Sequence, residues 1–351
     1  MLDGILFARA SRSELAREAL ARLDDGDAEG ALVLLLADQD DWWRGPAANP
    51  RDLRALVRDR DRLTLRGAMA QLAWGPVADY FTHRWSDPTF LAGLALMEAH
   101  WNAPRSAFEL ACGIGQHLRA LAQRGVAVAG ADVVFAKLWV ARHWVVPEAE
   151  LVCLDAAAQP WPIAEEARFD LVACHDAFYF LEPKAPILAR LRQLAGEAGW
   201  LAVGHVHNRD WPNLSAGAAV TAAEIAALFP DGTVYDDAEL TRAAVGRRAP
   251  RAAPAPALTG VEAFSVAAGP GLVPARAVSG ALSLPPEGTP LRRNPLYEEG
   301  ILAWPSERYA REYGPRATYP AQSDAPAQAV AGRATADWAL RRELLDLPER
   351  W

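Results

Sequence analysis

Residues 108–118 read FELACGIGQHL and carry the clearest structural signal in the chain. The apolar run Ser106–Leu110 enters a turn of small residues, after which Gln116–Arg124 shows helical spacing. Small residues after a first parallel strand let the backbone approach a ligand closely. A dinucleotide-binding fingerprint requires a third glycine where Leu118 stands. The stretch therefore predicts the first strand and the ligand-binding turn of a parallel sheet, and not a pyrophosphate-binding turn.

Short apolar runs continue to alternate with helical patterns beyond this turn. Strands that are apolar on both faces and alternate with helices are typical of a parallel sheet covered by helices on both sides. We therefore predict an α/β fold in three layers. The predicted strands are Val126–Ala131, Glu150–Leu154, Asp170–Cys174, Trp200–Val206 and Val261–Ala267, and the clearest helices between them are Phe135–Trp144 and Ile187–Leu194.

Three parts of the chain differ in hydrophobic periodicity and in composition. Residues 1–84 show helical periodicity and are predicted to form an N-terminal helical cap. Residues 85–269 hold the predicted sheet. Residues 270–351 contain 11 of the 26 prolines and four of the seven tyrosines. Such dense proline predicts an irregular extension, and its many aromatic residues predict that it wraps over the main domain, ending in a short helix near Thr335–Leu345.

Acidic residues and histidines stand where the predicted strands end, which is the edge of a parallel sheet that binds ligands. Asp132 ends the second strand, and a carboxylate there can accept hydrogen bonds from both hydroxyls of a ribose. Asp155 follows the third strand. His175 and Asp176 follow the fourth. These positions predict one polar cleft at the carboxyl edge of the sheet.

The order of these motifs resembles that of the class I S-adenosylmethionine-dependent methyltransferases over about residues 104–268. The first motif is Glu109-x-Ala111-x-Gly113-x-Gly115, with alanine in place of the family's first glycine. The resemblance implies a Rossmann-like, mostly parallel seven-stranded sheet, with S-adenosylmethionine as cofactor. It implies that Asp132 holds the ribose and that Asp155 meets the adenine amine. The implied cofactor-binding residues are Glu109, Ala111, Cys112, Gly113, Gly115, Asp132, Val133, Asp155, Ala156 and Cys174.

The histidines near the cleft permit three interpretations. His175 or His205 could accept a proton from the methyl acceptor, with Asp176 orienting the base. His205 and His207, at i and i+2 of one strand, could instead bind a divalent metal together with Asp176. They could also be structural. We favour catalysis by His175, Asp176 and His205 without a metal, and we expect Tyr80, Trp85 and His207 to contact the acceptor.

The function expected from the resemblance is methyl transfer to a small molecule, at oxygen. A non-catalytic binding or scaffold protein and a methyltransferase acting on protein are the alternatives. The net charge of −8 disfavours nucleic-acid binding. Three cysteines without metal-finger spacing indicate a reducing compartment, and no signal peptide or membrane-spanning run is visible. We therefore expect a cytoplasmic protein. The sequence does not indicate an oligomeric state.

Overall fold

The central element of the computed structural model, which describes residues 1–212 and 217–351, is a sheet of eight strands. Their order in the sheet is β1-β4-β3-β2-β5-β6-β8-β7. All pairs are parallel except those of β8, which runs antiparallel to β6 and β7. The strands are β1 (Ile5–Ala8), β2 (Ser106–Leu110), β3 (Ala127–Asp132), β4 (Glu150–Leu154), β5 (Leu171–His175), β6 (Trp200–His207), β7 (Thr233–Asp236) and β8 (Ala263–Ala268).

Helices cover both faces of this sheet. The side chains of β2 and β5 alternate between two buried apolar clusters, because successive strand residues point to opposite faces. Ala107 shares the cluster on one face with α6 (Pro88–Ala99), and Phe108 shares the cluster on the other face with α9 (Lys184–Ala195). The three-layer prediction is confirmed. The helices of residues 1–269 are α1 (Ser13–Asp24), α2 (Ala28–Ala37), α3 (Pro50–Asp59), α4 (Leu65–Gln71), α5 (Pro76–His83), α6 (Pro88–Ala99), α7 (Gln116–Ala122), α8 (Phe135–Val140), α9 (Lys184–Ala195), α10 (Ala222–Leu228) and α11 (Asp237–Val245).

The prediction of seven strands is wrong, because the sheet has an eighth. It is β1, which lies within the region predicted to be entirely helical and pairs in parallel with β4, Ile5 facing Leu151. A strand of four residues is too short to show a clear period in the sequence. The hydrogen bonds of β1 close the edge that β4 would otherwise expose. The N-terminal region is therefore joined to the main sheet as well as packed against it.

Residues 270–351 are ordered and cross the main domain. Leu345 and Leu347 are buried in the core cluster that contains α6, which fixes the end of the extension to the sheet domain. The predicted terminal helix is shorter than expected, because it ends at Leu340 and a strand follows. The elements are β9 (Pro290–Arg293), β10 (Tyr297–Glu298), β11 (Ile301–Leu302), α12 (Glu307–Tyr313), β12 (Gln328–Val330), α13 (Ala336–Leu340) and β13 (Leu344–Leu345), in two small sheets ordered β12-β9-β13 and β10-β11.

Among the described residues, every helix falls short of the length and apolar character that crossing a bilayer requires.

Candidate active site

A cavity of about 530 Å³ opens at the carboxyl ends of β2, β3, β4 and β5. Its floor is the sheet edge, and its walls come from both additions to the sheet domain. Residues of the N-terminal region and of α12 in the C-terminal extension line it together with the strand ends. Ligand pockets of small-molecule enzymes have volumes of this order. The cavity is therefore large enough for a cofactor and a small second ligand.

The turn after β2 is held by Asp132. One carboxylate oxygen of Asp132 accepts a hydrogen bond from the Gly113 N–H at 3.0 Å, and the other accepts from the Val134 N–H at 2.9 Å. Gly113 has a φ of +57°, and a Cβ there would lie 3.0 Å from the Phe81 ring. Ala111 also adopts a positive φ, +56°, a conformation that costs a non-glycine residue about 1–2 kcal/mol. Ala111 thus holds a conformation that glycine adopts without this cost.

Asp155 lines the cavity, but the N-terminal region already occupies its carboxylate. The Arg9 Nε donates to Oδ1 at 3.1 Å, and the Ser11 N–H donates to Oδ2 at 2.7 Å. Arg9 is 3% exposed and also pairs with Asp38. Three of the roughly four acceptor positions of Asp155 are filled when the Ser11 hydroxyl is included. No local sequence pattern predicts these contacts, because they join residues about 145 positions apart in the chain.

Glu109, His117 and His175 meet at the floor of the cavity. The His117 Nδ1 lies 3.2 Å from Glu109 Oε1, and the rings of His117 and His175 stack with centroids 4.3 Å apart. Burial raises the pKa of Glu109 to about 7. Burial also lowers the pKa of both His117 and His175 to about 3, so both rings are neutral at pH 7. Glu109 Oε2 and both ring nitrogens of His175 have no hydrogen-bond partner within residues 1–212 and 217–351.

Asp176 projects from the end of β5 with a φ of +53° and binds two tyrosines. Tyr80 donates to its Oδ2 at 2.9 Å, and Tyr179 donates to its Oδ1 at 3.1 Å. Arg84 lies 3.1 Å from Oδ2. Burial opposes ionisation of Asp176, but the Arg84 guanidinium and two nearby imidazoles outweigh it and lower the pKa of the carboxyl. Asp176 is thus a fixed anion at the cavity wall.

His205 lies behind Asp176 and is held by a partner that sequence analysis missed. The His205 Nδ1 is 2.8 Å from Asp237 Oδ2, at the start of α11. Asp237 also accepts from the Ser265 hydroxyl at 2.7 Å and from Arg316 at 3.0 Å. Burial opposes a charge on His205, but Asp237 and Asp176 outweigh it and raise the pKa of the imidazole. Asp237, not Asp176, therefore orients His205.

The predicted site residues separate into those that line the cavity and those that do not. Trp85 is 2% exposed in the core, and its carbonyl accepts hydrogen bonds from Arg342. Cys174 packs in the apolar cluster on the α9 face, and burial raises its pKa, so it is an inert thiol. The predicted residues in the lining are Tyr80, Glu109, Ala111, Cys112, Gly113, Asp132, Val133, Asp155, Ala156, His175 and Asp176. Those outside the lining are Trp85, Gly115, Cys174, His205 and His207.

Several lining residues were not predicted. Tyr179, in the turn after β5, donates a hydrogen bond to Asp176. Tyr309 and Tyr313 come from α12, and nothing in their spacing connects them with the sheet edge. The high tyrosine content of residues 270–351 was the one feature of the sequence that could have indicated a role for them in the site. Lys137, 3.7 Å from Asp132, was also missed.

A mixed sheet with this strand order and a cavity at the carboxyl ends of its central parallel strands defines a Rossmann-like ligand-binding α/β domain. Residues 108–203 match the family described as the methyltransferase domain. This chain carries a class I S-adenosylmethionine-dependent methyltransferase domain, and S-adenosylmethionine is its cofactor. The match supports an enzyme of that kind, and it does not extend over residues 1–107 or 204–351.

Three solved structures illustrate the likeness. A TehB-like S-adenosylmethionine-dependent methyltransferase from Corynebacterium glutamicum is 19% identical, with 51% of this chain and 86% of that chain covered and a TM-score of 0.38. The 1,6-didemethyltoxoflavin-N1-methyltransferase of Burkholderia thailandensis is 20% identical, with 66% and 96% covered and a TM-score of 0.39. An amino pentose methyltransferase from Micromonospora echinaspora is 24% identical, with 35% and 52% covered and a TM-score of 0.29. The chain thus spans about half the length of the Micromonospora protein. No curated protein sequence matches this chain.

Proposed function

We propose that this enzyme transfers the methyl group of S-adenosylmethionine to a hydroxyl oxygen of a small molecule. The observation that carries the proposal is the shared lining of one cavity. The motif residues of the cofactor side and the tyrosines of the two additions face the same space. Acceptor selection would then come from the additions, since the shared sheet supplies only the cofactor site.

The acceptor side of the cavity is rich in aromatic rings. Tyr80 comes from α5, Tyr179 follows β5, and Tyr309 and Tyr313 come from α12. Rings from three separate parts of the chain provide a rigid, largely apolar enclosure, and the hydroxyls of Tyr80 and Tyr179 bind Asp176 in its wall. Such a lining suits a small, largely apolar or aromatic acceptor better than an extended polymer.

The proposed reaction is an in-line displacement. The acceptor oxygen attacks the methyl carbon, the carbon–sulfur bond breaks, and its electron pair passes to sulfur to give S-adenosylhomocysteine. The proton of the acceptor hydroxyl passes to a ring nitrogen of His175, which lines the cavity and has no other partner among the described residues. The enzyme otherwise contributes mainly alignment of the three reacting atoms. His175 is favoured over His205 because His205 lies outside the lining.

The test of this function is formation of S-adenosylhomocysteine and of a methylated product. Purified enzyme is incubated with S-adenosylmethionine labelled in its methyl group and with a panel of hydroxyl, amine and thiol compounds of aromatic and aliphatic type. Label in an oxygen ether of a small molecule supports the proposal. Label only in amines, or only in an added protein, contradicts it.

Cofactor binding is expected to depend on pH through Glu109. The cofactor carries an amino group that is cationic, and only an ionised Glu109 can pair with it. Because the pKa of Glu109 is raised to about 7, binding is weakest below that pH. The affinity for S-adenosylhomocysteine should rise about 25-fold between pH 5.5 and 7.5, as the carboxylate forms. Calorimetric titrations across this range measure it.

The matched variant for this prediction is Glu109→Gln, which keeps the shape of the side chain without its charge. Its affinity should be low and nearly constant over the same pH range. A pH dependence in Glu109→Gln equal to that of the wild type would assign the effect to another group.

A further inference from the structure

We propose that Asp176, His205 and His207 bind one divalent transition-metal ion at the carboxyl ends of β5 and β6. Each of the three offers one ligand atom, and these atoms all lie within 4.8 Å of one another. Bonds of about 2.0–2.2 Å to zinc place tetrahedral ligands roughly 3.3 Å apart, so the side chains need to close by at most about 1.5 Å. Two imidazoles and one carboxylate form a donor set of transition-metal sites, whereas magnesium and calcium prefer oxygen alone.

The backbone brings these three residues together. β5 and β6 are parallel neighbours, and the Asp176 N–H donates to the Gly204 carbonyl at 2.9 Å. The register of β6 shifts between Val203 and Val206, and His205 within this irregularity has a φ of +51°. Asp176 has a positive φ as well. Non-glycine residues held in this conformation at adjoining strand ends are a recurrent feature of functional sites.

His205 already has the outer partner that metal-bound histidines usually have. Its Nδ1 lies 2.8 Å from Asp237, and Asp237 is fixed in turn by Ser265 and Arg316. A histidine that binds a metal commonly gives its other ring N–H to a carboxylate, which fixes the ring and its tautomer. With Nδ1 committed to Asp237, the Nε2 lone pair of His205 is the one available to an ion.

The other two ligands have unused capacity. His207 is 4% exposed, and its Nδ1 has no hydrogen-bond partner in the described part of the chain. A buried nitrogen without a partner is costly, and a bound ion would satisfy the imidazole. Asp176 Oδ2 accepts from Tyr80 and forms an ion pair with Arg84, whereas Oδ1 accepts from Tyr179 alone among the described residues, which leaves a lone pair at Oδ1.

The surrounding charges favour a dication. Two arginines lie near the site, and each is shared between two carboxylates. Arg84 pairs with Asp87 and Asp176. Arg316 pairs with Asp237 and Glu262. With both imidazoles neutral, as metal ligands must be, four carboxylates against two guanidinium groups leave two negative charges, which one divalent ion would neutralise.

The ion would have a role next to the cavity, because Asp176 also lines it. Held there, it would polarise an acceptor hydroxyl and favour loss of its proton. This role rests on the proposed function, whereas binding of the ion does not.

The test is metal binding by the full-length protein after treatment with a chelator and its removal. Zinc chloride is titrated by calorimetry, and cobalt chloride is followed by its visible absorption. We expect one equivalent of zinc with a dissociation constant of about 1 µM or lower. His205→Ala and His207→Ala should each bind at least 100-fold more weakly. Asp237→Asn, which leaves all three ligands in place, should weaken binding about 10- to 100-fold.

Two histidine variants serve as controls. His143→Ala removes a second histidine–carboxylate pair, to Asp3 at 2.7 Å, outside the site, and should bind zinc like the wild type. His117→Ala tests the other group of candidate ligands, Glu109, His117 and His175, and should also leave zinc binding unchanged. Absence of zinc binding in the wild type at 100 µM, or loss in His117→Ala with retention in His207→Ala, would overturn the proposal.

The folding of each variant is checked by titration with S-adenosylhomocysteine and by circular dichroism. A His207→Ala protein with a native spectrum that fails to bind zinc supports the site. Zinc binding with the predicted losses, in a wild type that transfers no methyl group to any acceptor, would sustain the metal site and refute the proposed function alone.

Discussion

Replacing His175 by asparagine is expected to lower kcat by about 100-fold, the lower end of the range that a general base contributes, because burial lowers the pKa of the ring to about 3 and makes it a weak base. Asparagine keeps a polar group of similar size but cannot accept the proton of the acceptor hydroxyl at neutral pH. The substitution also suits the packing, because the His175 ring fits a slot beside two glycines. A Cβ at Gly204 would lie 2.4 Å from the His175 Nδ1, and one at Gly93 would lie 3.2 Å from it.

The measurement is steady-state methyl transfer with the acceptor found in the panel. His175→Asn should keep its affinity for S-adenosylhomocysteine and its KM for the acceptor within a few-fold, so that the loss falls on kcat. His143→Ala, a histidine variant outside the cavity, should have wild-type kcat. If His175→Asn retains kcat within threefold, His175 only shapes the pocket, and the assignment of the proton acceptor fails.

Replacing Arg342 by alanine is expected to reduce the free energy of unfolding by about 3 kcal/mol. Arg342 is 2% exposed, and it donates to the carbonyls of Trp85 and Ser283 at 2.8 and 2.9 Å. Its guanidinium also lies over the Phe90 ring, 5.6 Å from the centroid. The variant leaves buried carbonyls without partners and detaches the end of the extension from the segment that follows α5. Urea unfolding followed by fluorescence measures the change.

Arg247 provides an arginine control at the surface. Its side chain is 47% exposed and pairs at 2.9 Å with the Asp337 carboxylate, which is 85% exposed. Surface pairs of this kind contribute little, so Arg247→Ala should cost less than about 1 kcal/mol. Equal losses in the two variants would mean that Arg342 does not anchor the extension.

Local sequence patterns predicted the strands of the main domain well. Ser106–Leu110 and Glu150–Leu154 have the predicted bounds, and β5 starts one residue later than predicted. These strands are apolar on both faces and are separated by helices, so their runs are continuous and easily recognised. β1 was missed because four residues carry no reliable period. β7, an edge strand with the sequence TVYD, was not located for the same reason.

Position at a strand end was enough to predict part of the cavity lining. Asp132, His175 and Asp176 belong to that part of the lining. The partners of these residues could not be predicted, because Arg9 with Asp155 and Asp237 with His205 are contacts between distant parts of the chain. Such pairs leave no local pattern. They depend on how the additions pack on the sheet.

Trp85 was predicted to contact the acceptor, but it does not line the cavity. An aromatic residue shortly before the sheet was expected to reach the acceptor, but the side chain is buried beside Phe90 and Leu94. Its neighbour Tyr80, five residues earlier on α5, points to Asp176 instead. Periodicity shows that two aromatic residues lie on different faces of a helix, but it does not show which face meets the core.

The most direct test of the account is a calorimetric titration with S-adenosylhomocysteine of the wild type, Asp132→Ala and Asp170→Ala. Asp132 and Asp170 each accept hydrogen bonds from two backbone N–H groups, but Asp170 does so at the amino end of β5, away from the cavity. We predict micromolar binding by the wild type, at least tenfold weaker binding by Asp132→Ala, and unchanged binding by Asp170→Ala. No binding by the wild type, or equal binding by all three proteins, would contradict a cofactor site at this cavity.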